Sequence, residues 1–491
     1  MNSLFDKTFG FVASKTGDVT NSSWLAYRML FAPGMVGPAR GWISRHRAAA
    51  AFYNARSRVP AYQEFLARRG ATNPRGFDDI PPMDKRNYIT QWPIEKLCQG
   101  GRLPLRDAVI DESSGSSGTA TNWVRGGTER AATRRLIQYS TRATLGDDGF
   151  ILLNCFALGP WATGMNVSMS LVDRSIVKSI GPDAAKALAT LKLFGPKYKY
   201  VIAGYPPFLK SLVDSADFDW TSYNVSAVVG GEAMSEPLRA ALNARFRTTI
   251  SCFGASDLEI NLAIETPFTV ALREAIMSDE RLGRDIYGGE GVPMVFQYDP
   301  LNTFVESDAD RSLLFTINRL ENVSPRIRYN LRDRGIVRTV AELEPILRDH
   351  GLSAQGMGIR TALPVMFHWG RQDSSVAFYG CKITPEDLQH VVMRLAHSLG
   401  AVANFALHPY EDADANKRLE LWLEMEEGAE PPADREVATS DLLRELAVVN
   451  QDFREAVKMM RPALRPTVLF HRYGESPMSG QDGRIKRCYI M

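Results

Sequence analysis

The sequence predicts an α/β fold with a large N-terminal domain, in which mostly parallel sheets are flanked by helices, and a small α+β C-terminal domain. Three observations favour this prediction. The chain of 491 residues is longer than one simple core requires. Short apolar segments rich in β-branched residues alternate with helical patterns, which is typical of βαβ units. Near the C-terminus a helix, two strands, a helix and a strand follow one another, as in a small domain with its own core.

The N-terminal elements follow from the spacing of apolar residues. Residues 40–70 carry apolar side chains at helical spacing with one break at Pro60, so they predict two helices. A short strand, LRDAVI, leads into the polar segment DESSGSSGTATNWVRG. Further strands are predicted at GFILLNCFAL, YKYVIAG and VSAVVGGEA, with helical patterns such as DAAKALATLKLFG and EPLRAALNARF among them. In such sheets the ligand binds at the carboxyl ends of the strands.

The C-terminal elements carry clear start signals. The segment TPEDLQHVVMRLAHSL predicts a helix with Thr384 as its N-cap and Pro385 at its first position. Two strands, NFALHPY and RLELWLEME, flank a turn, and one long helix, SDLLRELAVVNQDFREAVKMM, and a strand, TVLFHRY, follow. The stretch GAEPPADREVATS is expected to be a loop inside this domain. We place the domain boundary so that residues 1–372 and 373–491 form the two domains.

Composition excludes several classes of protein. The hydrophobic share is 45% and the charged share 23%, which are globular values. The net charge of +2 indicates neither a nucleic-acid partner nor an acidic membrane. Five dispersed cysteines without a C-x-x-C pair support neither a disulfide framework nor a zinc site. Without a long apolar segment or a signal-peptide pattern, we expect a soluble, cytoplasmic protein.

Five polar segments are candidates for chemistry. The Ser/Gly-rich stretch from 111 to 126 offers hydroxyls and backbone N–H groups, which suits phosphate oxygens, although a flexible linker has the same composition. The other four are VVGGEAMS, SCFGASDLE, SPRIRYNLRDRG and WGRQD, and we expect them at strand ends. Each of these four by itself is more typical of a turn or a surface ion pair than of a binding site.

Together and in this order, these segments resemble the motifs of the adenylate-forming superfamily, and within it the phenylacetate-CoA ligase-like branch. SSGSSGTAT is similar to the phosphate loop, GGEAMS to the adenine-side motif and FGASD to the aromatic-Gly-x-Thr-Glu motif. RIRYNLRD is similar to the segment that ends in the ribose-binding aspartate. GRQDSSVAFYGCKITPEDLQHVV resembles the hinge and the start of a mobile C-terminal domain, and GRIKR the last motif. VPAYQEFLARRG and IPPMDKRNYI resemble the N-terminal part of that branch.

The resemblance implies a role for each matching residue. The residues implied for the ATP phosphates are Ser113, Ser114, Gly115, Ser116, Ser117 and Gly118. Those implied for the rest of the nucleotide are Gly231 and Glu232 beside the adenine, Asp333 at the ribose, Arg371 at the ribose or phosphate, and Phe253, Gly254 and Ser256. Asp257 would ligate Mg²⁺, and Asp373 would be the hinge of the small domain.

Three positions depart from the family pattern. Thr119 stands where the phosphate loop usually continues with lysine, with Arg125 close in sequence. Asp257 is one methylene shorter than the usual glutamate, and an aspartate still ligates magnesium. Arg484 follows Gly483 where the family has its catalytic lysine, and Lys486 lies two residues on. Arginine and lysine are not interchangeable where geometry matters, so either Arg484 or Lys486 contacts the adenylate, or adenylation is slow or lost.

The implied activity is ATP-dependent activation of an aromatic or hydrophobic carboxylic acid as acyl-AMP, followed by transfer to coenzyme A. Phe156, Trp161, Tyr205 and Phe208 are candidate walls of the acid pocket, with ordinary core packing as the alternative. Two other functions stay open: a synthetase that passes the acyl group to an amine or hydroxyl, and a catalytically impaired binder of nucleotide or acyl adenylate. Whether the chain forms a homodimer is also left open.

Overall fold

The computed structural model describes residues 12, 37–113, 121–214, 218–289, 291–371, 375–478 and 490, and it confirms the predicted α/β class. The strands in these ranges are β1 Ala108–Ser113, β2 Thr121–Gly126, β3 Ile151–Asn154, β4 Ile176–Ser179, β5 Lys199–Gly204, β6 Asn224–Gly230, β7 Thr249–Phe253, β8 Ala263–Ile264, β9 Met294–Tyr298, β10 Thr303–Ser307, β11 Ser312–Ile317, β12 Tyr329–Arg338, β13 Val365–Arg371, β14 Val376–Phe378, β15 Cys381–Ile383, β16 Val402–Glu411, β17 Lys417–Met425 and β18 Thr467–His471.

The helices in the same ranges are α1 Gly37–Arg58, α2 Pro60–Arg68, α3 Gly127–Leu145, α4 Ala162–Leu171, α5 Ala184–Phe194, α6 Pro206–Asp214, α7 Glu236–Asn243, α8 Pro267–Ser278, α9 Glu280–Tyr287, α10 Val340–Asp349, α11 Pro385–Arg394, α12 Ala396–Leu399, α13 Arg435–Val449 and α14 Gln451–Met459. The two predicted N-terminal helices, the break at Pro60 and the strand before the polar loop are therefore confirmed. No helix in the described ranges combines the length and the apolar content needed to cross a bilayer.

The main sheet has eleven strands in the order β10-β11-β12-β13-β9-β8-β7-β6-β5-β3-β4. Strands β3 to β7 are parallel to one another, as the alternation of strands and helices predicts. The other six strands join antiparallel, a half of the sheet that the sequence did not indicate. Helices α8 and α9 separate β8 from β9, and α10 separates β12 from β13, but β9 to β12 follow one another without a helix, as antiparallel strands can, so the alternation of strands and helices is interrupted there.

The parallel strands are apolar on both faces because helices cover both sides of the sheet. Leu152 and Val201 pack towards α3 and α4 in one cluster. Their neighbours Leu153 and Ile202 belong to the opposite core, together with residues of α6 and α7. Successive strand residues point to opposite faces, so the sheet separates two cores. The face towards α3 and α4 also borders the site described below.

Residues 375–478 carry a further core of their own. Strand β17 pairs antiparallel with β16 and parallel with β18, and α11, α13 and α14 pack on this sheet. Thr384 caps α11 and Pro385 opens it, as predicted. The predicted boundary between 372 and 373 stays a prediction, since residues 372–374 lie outside the described part of the chain.

The single long helix predicted over residues 440–460 is wrong, because the structure has two helices there. Asn450 has an extended backbone and ends α13, and its side chain accepts a hydrogen bond from Phe453 N, which caps α14. The predicted loop GAEPPADREVATS is also too long, because α13 already begins at Arg435 with Asp434 as its N-cap. Asn and Asp favour caps over helix interiors, which overrides the apolar periodicity.

Candidate functional site

A cavity of about 990 Å³ lies at the carboxyl ends of the parallel strands, between the main sheet and the C-terminal part. Its walls include residues that follow β6 and β7, residues of β12 and β13, and a face of α3. They also include the turn between β14 and β15 and part of α14. The cavity brings together most of the predicted site residues that the structure describes: Ser113, Phe156, Trp161, Tyr205, Gly231, Glu232, Phe253, Gly254, Ser256, Asp257, Asp333 and Arg371.

The described residues on either side of the Ser/Gly segment pair as a two-stranded hairpin. Strands β1 and β2 pair from Ala108 with Gly126 to Ser113 with Thr121. The predicted phosphate residues Ser114, Gly115, Ser116, Ser117 and Gly118, and Thr119 with them, lie outside the described residues. At the base of the loop, the Lys85 ammonium donates to Ser113 Oγ at 3.3 Å, and both residues line the cavity. Lys85 was not among the predicted site residues, although the segment IPPMDKRNYI contains it.

Arg125 does not serve as the missing cation of this loop. Its guanidinium is buried, with Nη1 3.0 Å from Glu129 Oε1 and Nε 3.6 Å from Asp111 Oδ2, and it also donates to the carbonyl of Ser256. Burial raises the pKa of Asp111, and Arg125 and a hydrogen bond from Asn166 oppose that rise. Arg125 therefore links β2, α3 and the Ser256 loop beneath the cavity.

The adenine-side motif packs against an aromatic ring. Gly231 has φ +83°, and a Cβ there would lie 2.9 Å from Cε1 of Tyr205. Only glycine suits both the backbone and the contact. Glu232 lines the cavity, but its carboxylate is already bound, with Oε2 2.5 Å from Lys417 Nζ and Oε1 accepting from Gly380 N. Lys417 and Gly380 were not predicted as site residues.

The motif after β7 holds its aspartate at the cavity. A Cβ on Gly254 would overlap the backbone of Ile260, so glycine is required for the loop to fold back. Asp257 Oδ2 accepts a hydrogen bond from the Tyr329 hydroxyl at 2.6 Å. Burial, followed by the charge of Asp257, raises the pKa of Tyr329 well above its ordinary value. Among the described residues, no group of three or more His, Cys, Asp and Glu side chains is placed to hold a metal.

The ribose-side residues lie within strands, not after a strand end as predicted. Tyr329 and Asp333 belong to β12, and Asp333 stands opposite Arg371 of β13 in the strand register. Asp333 is buried, and its Oδ2 lies 3.5 Å from His368 Nε2. The His368 ring also contacts Phe253 at 4.8 Å between centroids. His368 was not predicted, because only the fold places this strand residue beside the aspartate.

Beyond these polar groups, an apolar arm of the cavity extends between the sheet and α3. Helix α3 presents one face to it, formed by Ile137, Ser140, Thr141, Thr144 and Leu145. The hydroxyls of Thr141 and Thr144 each donate to a carbonyl of the preceding helical turn at 2.7 Å, so they are satisfied within the helix. Opposite them, the sheet contributes Leu152, Val201, Ala203 and Val228.

Three of the four predicted acid-pocket residues lie at this cavity. Phe156 and Tyr205 make an edge-to-face contact with 5.3 Å between ring centroids, and Trp161 also lines the wall. Phe208 does not line the cavity, contrary to the prediction. It lies in α6 and is 2% exposed in the opposite core, on the other face of the sheet. The predicted residues Asp373, Arg484 and Lys486 lie outside the described residues.

No protein-family model matches the sequence, and no curated protein matches it either. Solved structures do match. A 2-hydroxyisobutyryl-CoA ligase in complex with 2-HIB-AMP and CoA in the thioesterification state is 12% identical and has a TM-score of 0.61, covering 93% of this chain and 90% of that chain. The same ligase in the postadenylation state with 2-HIB-AMP has a TM-score of 0.53 at the same identity and coverage. In an open conformation with 2-HIB-AMP and CoA it has a TM-score of 0.53, at 12% identity, and the match covers 92% and 91% of the two chains.

Both chains are covered almost completely, so the match shows a shared fold. The identity of 12% is too low for the match to show more than the fold. The chain therefore has the fold of adenylate-forming CoA ligases, and the resemblance that its motifs indicated is confirmed at that level. The phenylacetate-CoA ligase-like branch is not distinguished by these matches.

Proposed function

We propose that the chain is an AMP-forming ligase that activates a hydrophobic or aromatic carboxylic acid with ATP and transfers the acyl group to coenzyme A. The observation that carries the proposal is the shape and chemistry of the cavity. One end joins the hairpin of the Ser/Gly loop, Gly231, Asp333 and Arg371, and the other end is the apolar arm beside α3. A nucleotide and an apolar acid would meet between the two ends.

In the first step, a carboxylate oxygen of the acid attacks the α-phosphorus of ATP, forming acyl-AMP and releasing pyrophosphate. Asp333 would accept hydrogen bonds from the ribose hydroxyls, and the backbone at Gly231 would border the adenine. Lys85 would place a positive charge beside the phosphate loop, where charge develops in the transition state. Arg484 or Lys486 would contact the adenylate, as the motif resemblance implies.

In the second step, the sulfur of coenzyme A attacks the acyl carbonyl carbon and AMP leaves. The C-terminal part contributes Tyr379, Gly380 and Asp452 to the cavity wall. A rearrangement of this part between the steps would let one cavity serve two transition states.

The Asp257 carboxylate is suited to hold a magnesium ion. Magnesium is usually held in proteins by one or two carboxylates together with substrate phosphates, so a single carboxylate at the cavity suffices. When bound, the ion would neutralise phosphate charge during adenylation. The Tyr329 hydroxyl fixes one oxygen of this carboxylate, which orients the group towards the cavity.

The acid class follows from the arm. Its wall is mostly aliphatic and aromatic, the threonine hydroxyls of α3 that border it are bonded within their own helix, and the Asn261 amide donates to Ser140 Oγ at 3.2 Å, so no charged side chain faces the arm among the residues named for it. A carboxylate or ammonium group at the far end of the acid would therefore lose its hydration without gaining a partner. We expect monocarboxylic acids with apolar tails to be preferred over dicarboxylic acids of equal length.

The test is incubation with ATP, Mg²⁺ and a panel of aryl, alkyl and dicarboxylic acids, with pyrophosphate and AMP measured with and without coenzyme A. We expect acid-dependent pyrophosphate release and, with coenzyme A, thioester and AMP in equal amounts. AMP formed only with an amine or alcohol would instead support an amide- or ester-forming synthetase. No pyrophosphate with any acid would contradict the proposal and favour a nucleotide binder.

Two matched carboxylates control this assay. Asp333→Asn removes the charge proposed for the ribose and should raise the KM for ATP. Asp173→Asn changes a surface aspartate whose side chain is 55% exposed beside Arg134, and it should leave the rate unchanged. Alanine variants of Arg484 and Lys486 then identify which cation acts in adenylation.

A further inference from the structure

The carboxylate of Glu232 joins the two parts of the chain. It lies just after β6 in the main sheet, and its side chain is 0% exposed. Its oxygens are bound by Lys417 Nζ at 2.5 Å and by the backbone N–H of Gly380. Both partners belong to the C-terminal part of the chain, 185 and 148 residues away in sequence.

Gly380, the backbone partner of Glu232, lies at the tip of a tight turn. Tyr379 and Gly380 form the two-residue connection between β14 and β15, with φ values of +54° and +80°. Two positive φ values are typical of a type I′ hairpin turn, which is tightly constrained. A Cβ on Gly380 would lie 2.6 Å from Cζ of Tyr205, so the tip rests directly on this ring of the N-terminal part.

Lys417, the side-chain partner of Glu232, lies at the tip of another hairpin. Lys417 opens β17 and stands opposite Glu411 of β16. Glu411 accepts from Ser235 Oγ, which lies 2.7 Å from each of its carboxylate oxygens. Two hairpin tips of the C-terminal part therefore bind one short loop of the N-terminal part, residues 231–235.

The negative charge of the buried Glu232 carboxylate makes this contact between the two parts depend on Lys417. Glu232 interacts electrostatically with the phenols of Tyr205 and Tyr379 and with the thiol of Cys381, none of which is a cation. Arg418 and Arg461 act on Tyr379, whereas Lys417 is the cation that contacts the Glu232 carboxylate. A buried carboxylate without a counter-ion is costly, whereas the same carboxylate in water is not. Removing Lys417 should therefore disfavour this arrangement of the two parts and leave an undocked arrangement unaffected.

We propose that the Glu232–Lys417 pair is the anchor that holds the C-terminal part in place for acyl transfer to coenzyme A, with Lys417 as a positioning residue that acts through Glu232. The inference rests on the proposed function. Of the three states of the ligase compared above, the thioesterification state has the higher TM-score, which supports assigning this arrangement to the second step. In that step the sulfur–carbon bond forms, the bond from the acyl carbon to the phosphate oxygen breaks, and AMP leaves.

Single-turnover measurements separate the two steps. Adenylate formation is followed as pyrophosphate release without coenzyme A, and acyl transfer as AMP release after coenzyme A is added to the preformed adenylate. For Lys417→Met we expect adenylate formation within twofold of wild type and acyl transfer slowed at least about tenfold, as for loss of one partner of a buried ion pair. Lys417→Arg should restore most of the transfer rate. Lys186→Met, at a lysine 70% exposed on α5, should change neither step.

Equal slowing of both steps by Lys417→Met, or of neither, would overturn the anchor. Wild-type protein that forms no adenylate with any acid would contradict the proposed function instead, so the two failures are distinguishable. Small-angle X-ray scattering tests the anchor without activity: Lys417→Met should have a larger radius of gyration than wild type, and an unchanged radius would count against the anchor. Gly380→Ala disturbs the other hairpin tip and gives a second variant. We expect it, too, to slow acyl transfer while adenylate formation stays within twofold of wild type.

Discussion

Thr119 stands where the resembled family places a lysine, and the structure offers a different cation for the same loop. Lys85 reaches Ser113 at the loop end of the β1–β2 hairpin and borders the cavity. Arg125, which is nearer in sequence, is buried among Asp111 and Glu129 instead. At the scale of single residues, the distance along the chain is therefore a poor guide to which charged side chain lines the cavity.

Lys85→Ala should lower kcat/KM for ATP in pyrophosphate release by about tenfold to hundredfold, because one charge-assisted contact to phosphate is lost. Lys85→Arg keeps the charge and should retain part of the rate. Lys96→Ala is the control, since Lys96 pairs with Glu64 on the surface at 2.9 Å. A Lys85→Ala enzyme with wild-type kinetics would mean that the phosphates are neutralised elsewhere.

Arg125→Met should act on stability. It leaves Asp111 and Glu129 buried without their cation, and breaking such a pair typically costs about 3–5 kcal/mol. Urea denaturation followed by circular dichroism measures the free energy of unfolding. The exposed pair of Arg134 and Asp173 serves as control, and Arg134→Met should cost no more than about 1 kcal/mol. If Arg125→Met were as stable as wild type but lost affinity for ATP, Arg125 would belong to the nucleotide site.

At the scale of elements, His350 ties together the ends of three helices. It follows α10, and one ring nitrogen lies 2.7 Å from Oδ2 of Asp279, which stands between α8 and α9. The other ring nitrogen lies 2.8 Å from Oδ2 of Asp285 within α9. The bond to Asp285, and then the bond to Asp279, raises the pKa of His350. The bond to His350 in turn lowers the pKa of Asp279.

This cluster predicts a pH dependence with a definite sign. Because the pKa of His350 is raised on folding, its contribution to stability is complete below the unfolded value of about 6.5 and is lost as the pH rises through the folded pKa. The lowered pKa of Asp279 contributes above about pH 4 and is lost as the pH falls. His350→Gln should therefore reduce Tm most near pH 5.5 and least near pH 9. His397→Gln, at an exposed histidine of α12, is the control, and a pH-independent difference for His350→Gln would contradict the prediction.

Asn450 shows how a cap can override periodicity. Besides capping α14, its amide donates to Lys382 O at 2.8 Å and to Asp387 Oδ2 at 2.9 Å, and it is fully buried. Asn450→Ala loses the cap and two further buried hydrogen bonds, for an expected cost of about 2–3 kcal/mol in the free energy of unfolding. Asp434→Ala removes only the exposed cap of α13 and should cost about 1 kcal/mol. Equal effects in urea denaturation would show that the bonds to Lys382 and Asp387 contribute nothing.

At the scale of the whole molecule, the apolar arm exists because α3 packs over one face of the parallel strands. Val228→Phe should fill this arm, lowering kcat/KM for long or aryl acids at least about tenfold while sparing short acids and ATP. Ile202→Val is the matched control, because Ile202 points into the opposite core. It should cost about 1 kcal/mol of stability without changing acid preference. An unchanged acid preference in Val228→Phe would place the acid outside the arm.

The sequence was informative where the signals are local. Alternation of apolar segments predicted β3, β5 and β6 with the helices between them, and the pattern at Thr384 and Pro385 predicted the start of α11. The antiparallel half of the sheet was missed, since β9 to β12 follow one another without a helix and interrupt the alternation of strands and helices. Phe156 and Phe208 look alike in sequence, yet one lines the cavity and the other packs in a core on the far side of the sheet.

The sequence alone predicted the α/β class, the strands β3, β5 and β6, several elements of the C-terminal part and the order of the polar motifs, because strand and helix periods, caps and glycine turns act over a few residues. Only the tertiary structure decided which side chains meet. Lys85 beside Ser113, His368 beside Asp333 and Lys417 on Glu232 are contacts that chain folding alone brings about. Their physical basis is burial and charge pairing between distant segments, which no local pattern of residues encodes.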